Sequence, residues 1–351
     1  MDRETTTRAG RKLDHLRHAV ALRDDPAAGG LPDVHLVHQA LPELNLDEVT
    51  TETAWLGKTL SQPLIINAMT GGMEEGGRIN AALARVAARA GVALAVGSQR
   101  AALDDPRLED SFRVAREENP DGVVLANVSA ATPPEGALRA VEMLRADALQ
   151  LHLNAAQELA MAEGDRDFRG LAQNIARVVA CSPVPVVAKE VGNGLSREAA
   201  WMLFGAGVRW LDVGGRGGTD FVTIERQRNR ETPAPPPAWG IGTVASLLEA
   251  RSTGLPFRLV ATGGVRGGLD VARCLALGAD LAGAAGVFLR ALEEGGEDGL
   301  LALLQRWREE LRRVMCLAGA ASPRRLRACP VVVTGETRRW LQARGIALPV
   351  R

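Results

Sequence analysis

Residues 122–154 read GVVLANVSAATPPEGALRAVEMLRADALQLHLN. A short apolar run, a Pro-containing turn, a helical segment and a second apolar run follow one another. Both runs, GVVLANV (122–128) and ALQLHLN (148–154), are too short for helices, and they lack the strict alternation of a sheet with one wet face. EGALRAVEMLRAD (135–147) between them reads as helix. Two buried strands joined by a helix make a parallel unit, since parallel neighbours need a crossover.

The same unit recurs on either side. PLIINAM (63–69) and VALAVGS (92–98) precede it; VPVVAKEV (184–191), RWLDVGG (209–215), FRLVATGG (257–264) and ADLAGAA (279–285) follow. Amphipathic stretches such as GRINAALARVAARA, SREAAWMLFGAG, TVASLLEARSTG and GGLDVARCLALGA lie between them, several ending in the Gly that caps a helix. Eight parallel strands alternating with helices predict an α/β fold, a closed (β/α)8 TIM barrel. A doubly wound open sheet is the alternative. It fits poorly, because no GxGxxG follows the first strand. Residues 1–60 stand before the pattern as an N-terminal extension, and 61–351 form the barrel, a single domain overall. The Pro-rich segment RNRETPAPPPAW (228–239) predicts a long loop after strand six, either a lid or disordered.

The chain has 351 residues, 46% of them hydrophobic, enough for a large core. Lys plus Arg and Asp plus Glu balance at 42 each, which gives no field for nucleic acid or a membrane surface. An anionic ligand must therefore be held by a local site. Four cysteines at 181, 274, 316 and 329 form no CxxC pair, which excludes a zinc ribbon and argues against a disulfide framework. Reduced thiols, a charged N-terminus without an apolar signal core and no run of 18 apolar residues predict a soluble cytoplasmic protein.

In such a barrel the C-terminal ends of the strands build the site. Polar residues gather there: Asn67 to Gly72, Gly97 to Arg100, Asn127 to Ser129, His152 and Asn154, Lys189 to Gly194, Gly214 to Asp220, and Thr262 to Gly268. Any one of these is an ordinary turn former, but seven strands ending alike calls for a ligand. TGGVRGG and GAAG close strands seven and eight, where barrels hold phosphate on loop amides and a helix N-terminus. Lys189 lies inside an apolar run, where burial without a partner would cost several kcal/mol. It suits either a Schiff base or a contact to an electron-rich ring such as a flavin. A second anion site is suggested by Arg11, Lys12 and His15 with Ser98, Arg100 and His152, if the N-terminal segment folds over the barrel mouth.

Seven segments carry a resemblance: RKLDH, NAMTGG, GSQR, LHLNAAQELAMAEGDRDF, KEVGNG, GGRGGTDFVTIE and TGGVRGG. From about residue 8 to about residue 290, in order, the chain resembles the type 2 isopentenyl-diphosphate delta-isomerases. That family is a (β/α)8 barrel which converts isopentenyl diphosphate to dimethylallyl diphosphate with reduced FMN and Mg²⁺, NADPH supplying the electrons. The resemblance implies that Ala68, Met69, Thr70, Ser98, Asn127, Lys189 and Thr219 line the flavin. Gly264, Val265, Arg266, Ala285 and Gly286 would hold its phosphate. Arg11, Lys12, Ser98, Arg100, His152, Asn154 and Gln157 would hold the substrate, mainly through its diphosphate, and Glu158 would bind Mg²⁺. Gln157, Lys189 and His152 are thereby the expected catalytic group, with Gln157 and Glu158 in the loop beyond strand four. The family also forms homo-oligomers, tetramers or larger, for which the C-terminal helix LLALLQRWREELRRVMCL is a candidate face; packing on its own barrel is the other use of that helix. Asp220 stands where the family has Asn, and Ala162 where Pro is common, which affects only local loop geometry.

Two rivals remain. An FMN-dependent 2-hydroxyacid oxidase needs a His base late in the barrel, but the five His lie at 15, 18, 35, 38 and 152. A non-catalytic barrel that binds a phosphorylated ligand would keep the glycine turns without the flavin chemistry.

Overall fold

The computed structural model describes residues 25–228 and 239–347. Eight strands form a closed parallel barrel: β1 (Leu64–Ile66), β2 (Ala93–Ala95), β3 (Val124–Ser129), β4 (Ala148–Leu153), β5 (Val186–Glu190), β6 (Trp210–Asp212), β7 (Arg258–Thr262) and β8 (Leu281–Ala284). β8 closes on β1, with Gly283 opposite Ile65. Every expected strand is present, and a helix follows each, so the expected TIM barrel is the observed fold.

Side chains alternate between two compartments, as the two-residue period of a strand requires. One set, which includes Leu64, Ile66, Leu94, Leu149, Ala188 and Leu211, packs outward under the helices. The other points into the barrel. At the bottom it is apolar: Ile65, Ala93, Ala95, Leu125, Ala148, Val187, Val260 and Leu281 form a separate buried cluster. A hairpin, Thr53–Trp55 and Lys58–Leu60, plugs this end with Trp55 and Leu60, and Trp55 meets Trp210 edge-on at 5.8 Å. Two or four residues further along the same inward rows, the positions become Asn67, Asn127, Gln150, His152, Lys189, Asp212 and Thr262. The inward rows thus change from apolar at the floor to polar at the mouth.

The helix Gly286–Leu317 bends at Gly296 and buries Leu300, Leu304, Trp307, Leu311 and Met315, one stripe of three- and four-residue steps. It packs against the helices Gly268–Ala276 and Glu74–Ala90 of its own barrel. Gly268 permits the close crossing, since a Cβ there would lie 2.3 Å from both Trp307 O and Leu311 N. The N-terminal extension is stitched on by a pairing of Val34–Leu36 with Val331–Val333. Ahead of that strand, Gly29 rests against the carbonyls of Arg216 and Gly263 at the barrel mouth. All four cysteines are free thiols. No described helix is long and apolar enough to cross a membrane.

Candidate active site

The C-terminal mouth of the barrel opens into a cavity of about 660 Å³. Ala68, Met69, Ser98, Arg100, Asn127, His152, Asn154, Gln157, Glu158, Lys189, Thr219, Gly264, Val265, Ala285 and Gly286 all line it, each singled out from sequence. Thr70 and Arg266 do not. Thr70 is buried in the turn after β1, where its carbonyl accepts from Gly97 N, and Arg266 N donates to Asp270 Oδ2. Arg11, Lys12 and His15 lie outside the described residues, as do residues 229–238 of the loop expected at 228–239; Arg228 instead ends the helix Phe221–Arg228.

One wall is almost bare backbone. Gly215 and Gly218 from the loop after β6 meet Gly263 and Gly264 from the loop after β7. Gly263 and Gly264 have φ +113° and +79°, and a Cβ on them would lie 2.1 Å from Gly215 O and 2.9 Å from Gly217 O. Only glycine satisfies both the dihedral and the contact. The N–H groups of Gly264 and Val265 have no acceptor among the described residues. The long helix beginning at Gly286 starts beside them, adding the positive end of its dipole. Such an arrangement is chemically suited to an anion, and it offers backbone donors rather than a side-chain cation.

Beneath the cavity runs a hydrogen-bonded network through six strands. His152 Nδ1 and Asn127 Oδ1 are 2.8 Å apart, a contact in which Nδ1 carries a proton and donates it. Asn127 Nδ2 lies 3.5 Å from Gln150 Oε1, and Gln150 Nε2 donates to Asn67 Oδ1 at 3.1 Å. Asn67 Nδ2 donates to Asp212 Oδ2 at 2.6 Å, and Lys189 Nζ reaches the same oxygen at 3.0 Å. Thr262 Oγ1 donates to Asp212 Oδ1 at 2.5 Å. Lys189 is 7% exposed and Asp212 fully buried, so the isolated lysine of the sequence is in fact half of an ion pair.

The opposite wall is built by the short helix Ala155–Ala160, which begins immediately after Asn154. Gln157 and Glu158 therefore stand on a helix, not in the loop expected from sequence. The turn brings Asn154 and Glu158, four apart, onto one face, where Asn154 Nδ2 donates to Glu158 Oε1 at 2.8 Å. Glu158 Oε2 accepts from Asp165 N at 2.9 Å. The Arg166 guanidinium clasps the carbonyls of Glu158, Met161 and Gly164, which folds the GDR loop back beneath the carboxylate. Gln157 Nε2 is 3.5 Å from Glu225 Oε1, a buried carboxylate on the helix Phe221–Arg228 that also pairs with Arg228. Glu163 and Asp165 line the same side. Arg100 reaches the cavity while its Nε pairs with Asp104 at 3.1 Å.

Behind β5 the side chain of Glu190 is buried. Burial pushes its pKa up to about 7, against the opposing pull of the Asn193, Gly192 and Gly194 amides that it accepts and of the Lys189 cation. It fixes the KEVGNG loop along the rim.

Asp212, Gln150, Glu225 and Glu190 were missed by the sequence reading of roles. For Asp212 a signal existed: it sits in an apolar run, RWLDVGG, just as Lys189 sits in VPVVAKEV. For Gln150 the signal was its two-residue spacing from His152.

A (β/α)8 barrel with a polar mouth cavity and free backbone donors at strands seven and eight is the class that this geometry defines. The sequence model of the FMN-dependent dehydrogenase family matches residues 113–331. A mandelate oxidase mutant with a monooxide FMN adduct superposes with a TM-score of 0.65, at 22% identity over 90% of this chain and 95% of that one, which is a likeness of fold. The isopentenyl-diphosphate delta-isomerase of Moorella thermoacetica is 54% identical over 343 residues, 98% of this chain and 99% of that one. That of Symbiobacterium thermophilum is 50% identical over 351 residues and covers 97% of each. The chain belongs to the isopentenyl-diphosphate delta-isomerase family, and it is an isomerase.

Proposed function

We propose that the protein interconverts isopentenyl diphosphate and dimethylallyl diphosphate in isoprenoid biosynthesis, with reduced FMN and Mg²⁺ as cofactors and NADPH as the reductant. The observation that carries this is the single cavity in which a side-chain-free anion cradle, a buried lysine and the Gln157–Glu158 helix face one another. FMN fits these residues. Its phosphate matches the Gly264 and Val265 amides, which lack an acceptor among the described residues, and Gly97, Gly214 and Ala284 line the same cavity with no side chain larger than a methyl group. When bound, reduced FMN supplies the acid and base that add a proton at one alkene carbon and remove one from the allylic carbon.

The chain's own residues do the rest. Lys189 places a positive charge, already oriented by its buried partner Asp212, where negative charge on the ring must be stabilised. Gln157, held between Asn154 and Glu225, positions the alkene end of the substrate; an amide is too weak a base to take a proton itself. Glu158 offers oxygen donors for Mg²⁺, which keeps several waters and needs only one or two carboxylates beside a diphosphate. Ser98, Arg100, His152 and Asn154 hold the diphosphate, joined by Arg11 and Lys12 of the N-terminal extension. Gly29, packed against the mouth, brings that extension to the rim from which they would act. By resemblance to its family, the enzyme works in the cytoplasm as a homo-oligomer, a tetramer or larger.

Anaerobic incubation with FMN, NADPH, Mg²⁺ and isopentenyl diphosphate tests the proposal. Dimethylallyl diphosphate is the expected product, and its absence from a yellow, NADPH-bleachable protein would refute the substrate assignment. A protein that retains no flavin would refute the cofactor assignment.

A further inference from the structure

We propose that Asp212 is the positioning residue that fixes the Lys189 ammonium at the floor of the active site. This rests on the cavity being a flavin site, and it assigns a role to a buried carboxylate that the proposed chemistry does not otherwise use.

Lysine occurs only at positions 12, 58 and 189; the rest of the 42 Lys and Arg residues are Arg. At 189 the cation is a compact ammonium rather than a planar guanidinium fork. Asp212 holds it from below with a carboxylate that cannot turn. Oδ2 takes Asn67 Nδ2 at 2.6 Å and Lys189 Nζ at 3.0 Å; Oδ1 takes Thr262 Oγ1 at 2.5 Å and Gly214 N at 3.2 Å. The donors come from the residue just after β1, from β5 and β7 and from the loop after β6, so four parts of the barrel lock one group.

The ammonium has three hydrogens, and three acceptors surround it: Asp212 Oδ2 at 3.0 Å, Glu190 O at 3.2 Å and Thr262 Oγ1 at 3.5 Å. Thr262 spends its own hydrogen on Asp212, so toward Lys189 it can only accept. That contact is the longest of the three and the one a ligand replaces at least cost. Asp212 and Glu190 keep two hydrogens occupied and leave the third for the cavity. An ion pair that is neutral as a whole does not oppose binding of a neutral oxidised ring. When the ring becomes negative, the cation is already in place and nothing has to reorganise.

The scarcity of lysine makes the test direct. Trace acetylation of the purified enzyme with acetic anhydride, read by mass spectrometry, compares Lys189 with Lys58. Lys58 pairs with Asp147 at 2.7 Å, far from the site, and serves as the internal standard. Asp212→Asn is expected to raise the Lys189/Lys58 ratio at least tenfold. Thr262→Val, close to isosteric and independent of whether Asp212→Asn folds, raises it severalfold. An unchanged ratio in Thr262→Val, or in a folded Asp212→Asn, overturns the proposal.

A second readout is the two-electron midpoint potential of bound FMN. Lys189→Met is expected to destabilise the reduced form at least tenfold, about 30 mV, in otherwise unaltered enzyme. In the Asp212→Asn background the same change should shift it less than threefold, about 14 mV. Equal shifts in both backgrounds would show that Lys189 acts without Asp212. If the unsubstituted protein binds no flavin, the cofactor reading fails while the labelling result still decides the pairing.

Discussion

Replacing Gly264 by Ala separates the phosphate cradle from the rest of the flavin site. Gly264 has φ +79°, and a Cβ would stand 2.9 Å from Gly217 O. An L residue held in the left-handed region costs about 1–2 kcal/mol, and the steric overlap adds about 1 kcal/mol more. The neighbouring atom is backbone in a loop packed against Gly29, so it has little freedom to yield. Relief must come from the turn moving away, and this draws the Gly264 and Val265 amides off the phosphate. A strain of about 2–3 kcal/mol corresponds to roughly 30- to 150-fold in FMN affinity. Riboflavin has the same ring and no phosphate. Titration of flavin-free protein, followed by quenching of flavin fluorescence, should show FMN binding weakened by that factor and riboflavin binding changed less than about threefold. Equal loss for both ligands, or no loss for either, would refute a cradle built from these amides.

Other substitutions probe other parts of the account. Glu158→Gln should lower Mg²⁺-dependent turnover by roughly a hundredfold or more while FMN is retained; loss of both to the same degree would remove its metal role. Glu190→Gln addresses stability against pH. Burial raises the folded carboxyl from the ordinary 4.5 to about 7, so the folded state holds the proton more firmly than the unfolded one. This group therefore takes stability away as pH rises from about 4.5 to about 7, by at most about 1.4 kcal/mol per pH unit. Across that window the urea midpoint of Glu190→Gln should gain on that of the unsubstituted protein and then run parallel above it; curves parallel throughout would contradict the assignment. Trp55→Ala removes the plug at the barrel floor and should cost about 3–5 kcal/mol in urea denaturation, with FMN affinity unchanged because the floor and the mouth are separate layers. A change in FMN affinity as large as the change in stability would deny that separation.

The barrel was legible because each strand is buried on both faces and bounded by glycine or polar turns. VALAVGS announces Ala93–Ala95 without help from tertiary contacts. The same double burial hid the polar network. With apolar residues on the outward rows, the alternation that sets Gln150 with His152, or Asp212 below a glycine turn, does not register as a pattern. Lys189 was visible as an anomaly, but its partner lies 23 residues away on the next strand, a distance that only the parallel pairing of β5 with β6 removes. The six-residue helix Ala155–Ala160 was too short for periodicity to reveal, so Gln157 and Glu158 were assigned to a loop. Thr70 and Arg266 show the opposite limit: a motif marks a neighbourhood of the site, but the direction of each side chain is decided by packing.

The central claim is that this barrel moves a double bond without net oxidation or reduction, and its most direct test is stoichiometric. In a sealed anaerobic cuvette with FMN, Mg²⁺, limiting NADPH and excess isopentenyl diphosphate, NADPH loss and dimethylallyl diphosphate formation are followed together. The account predicts that NADPH consumption stops once the bound flavin is reduced, while product accumulates to many equivalents per enzyme. Consumption of one NADPH for each product formed, or a reduced enzyme that makes no dimethylallyl diphosphate, would contradict it.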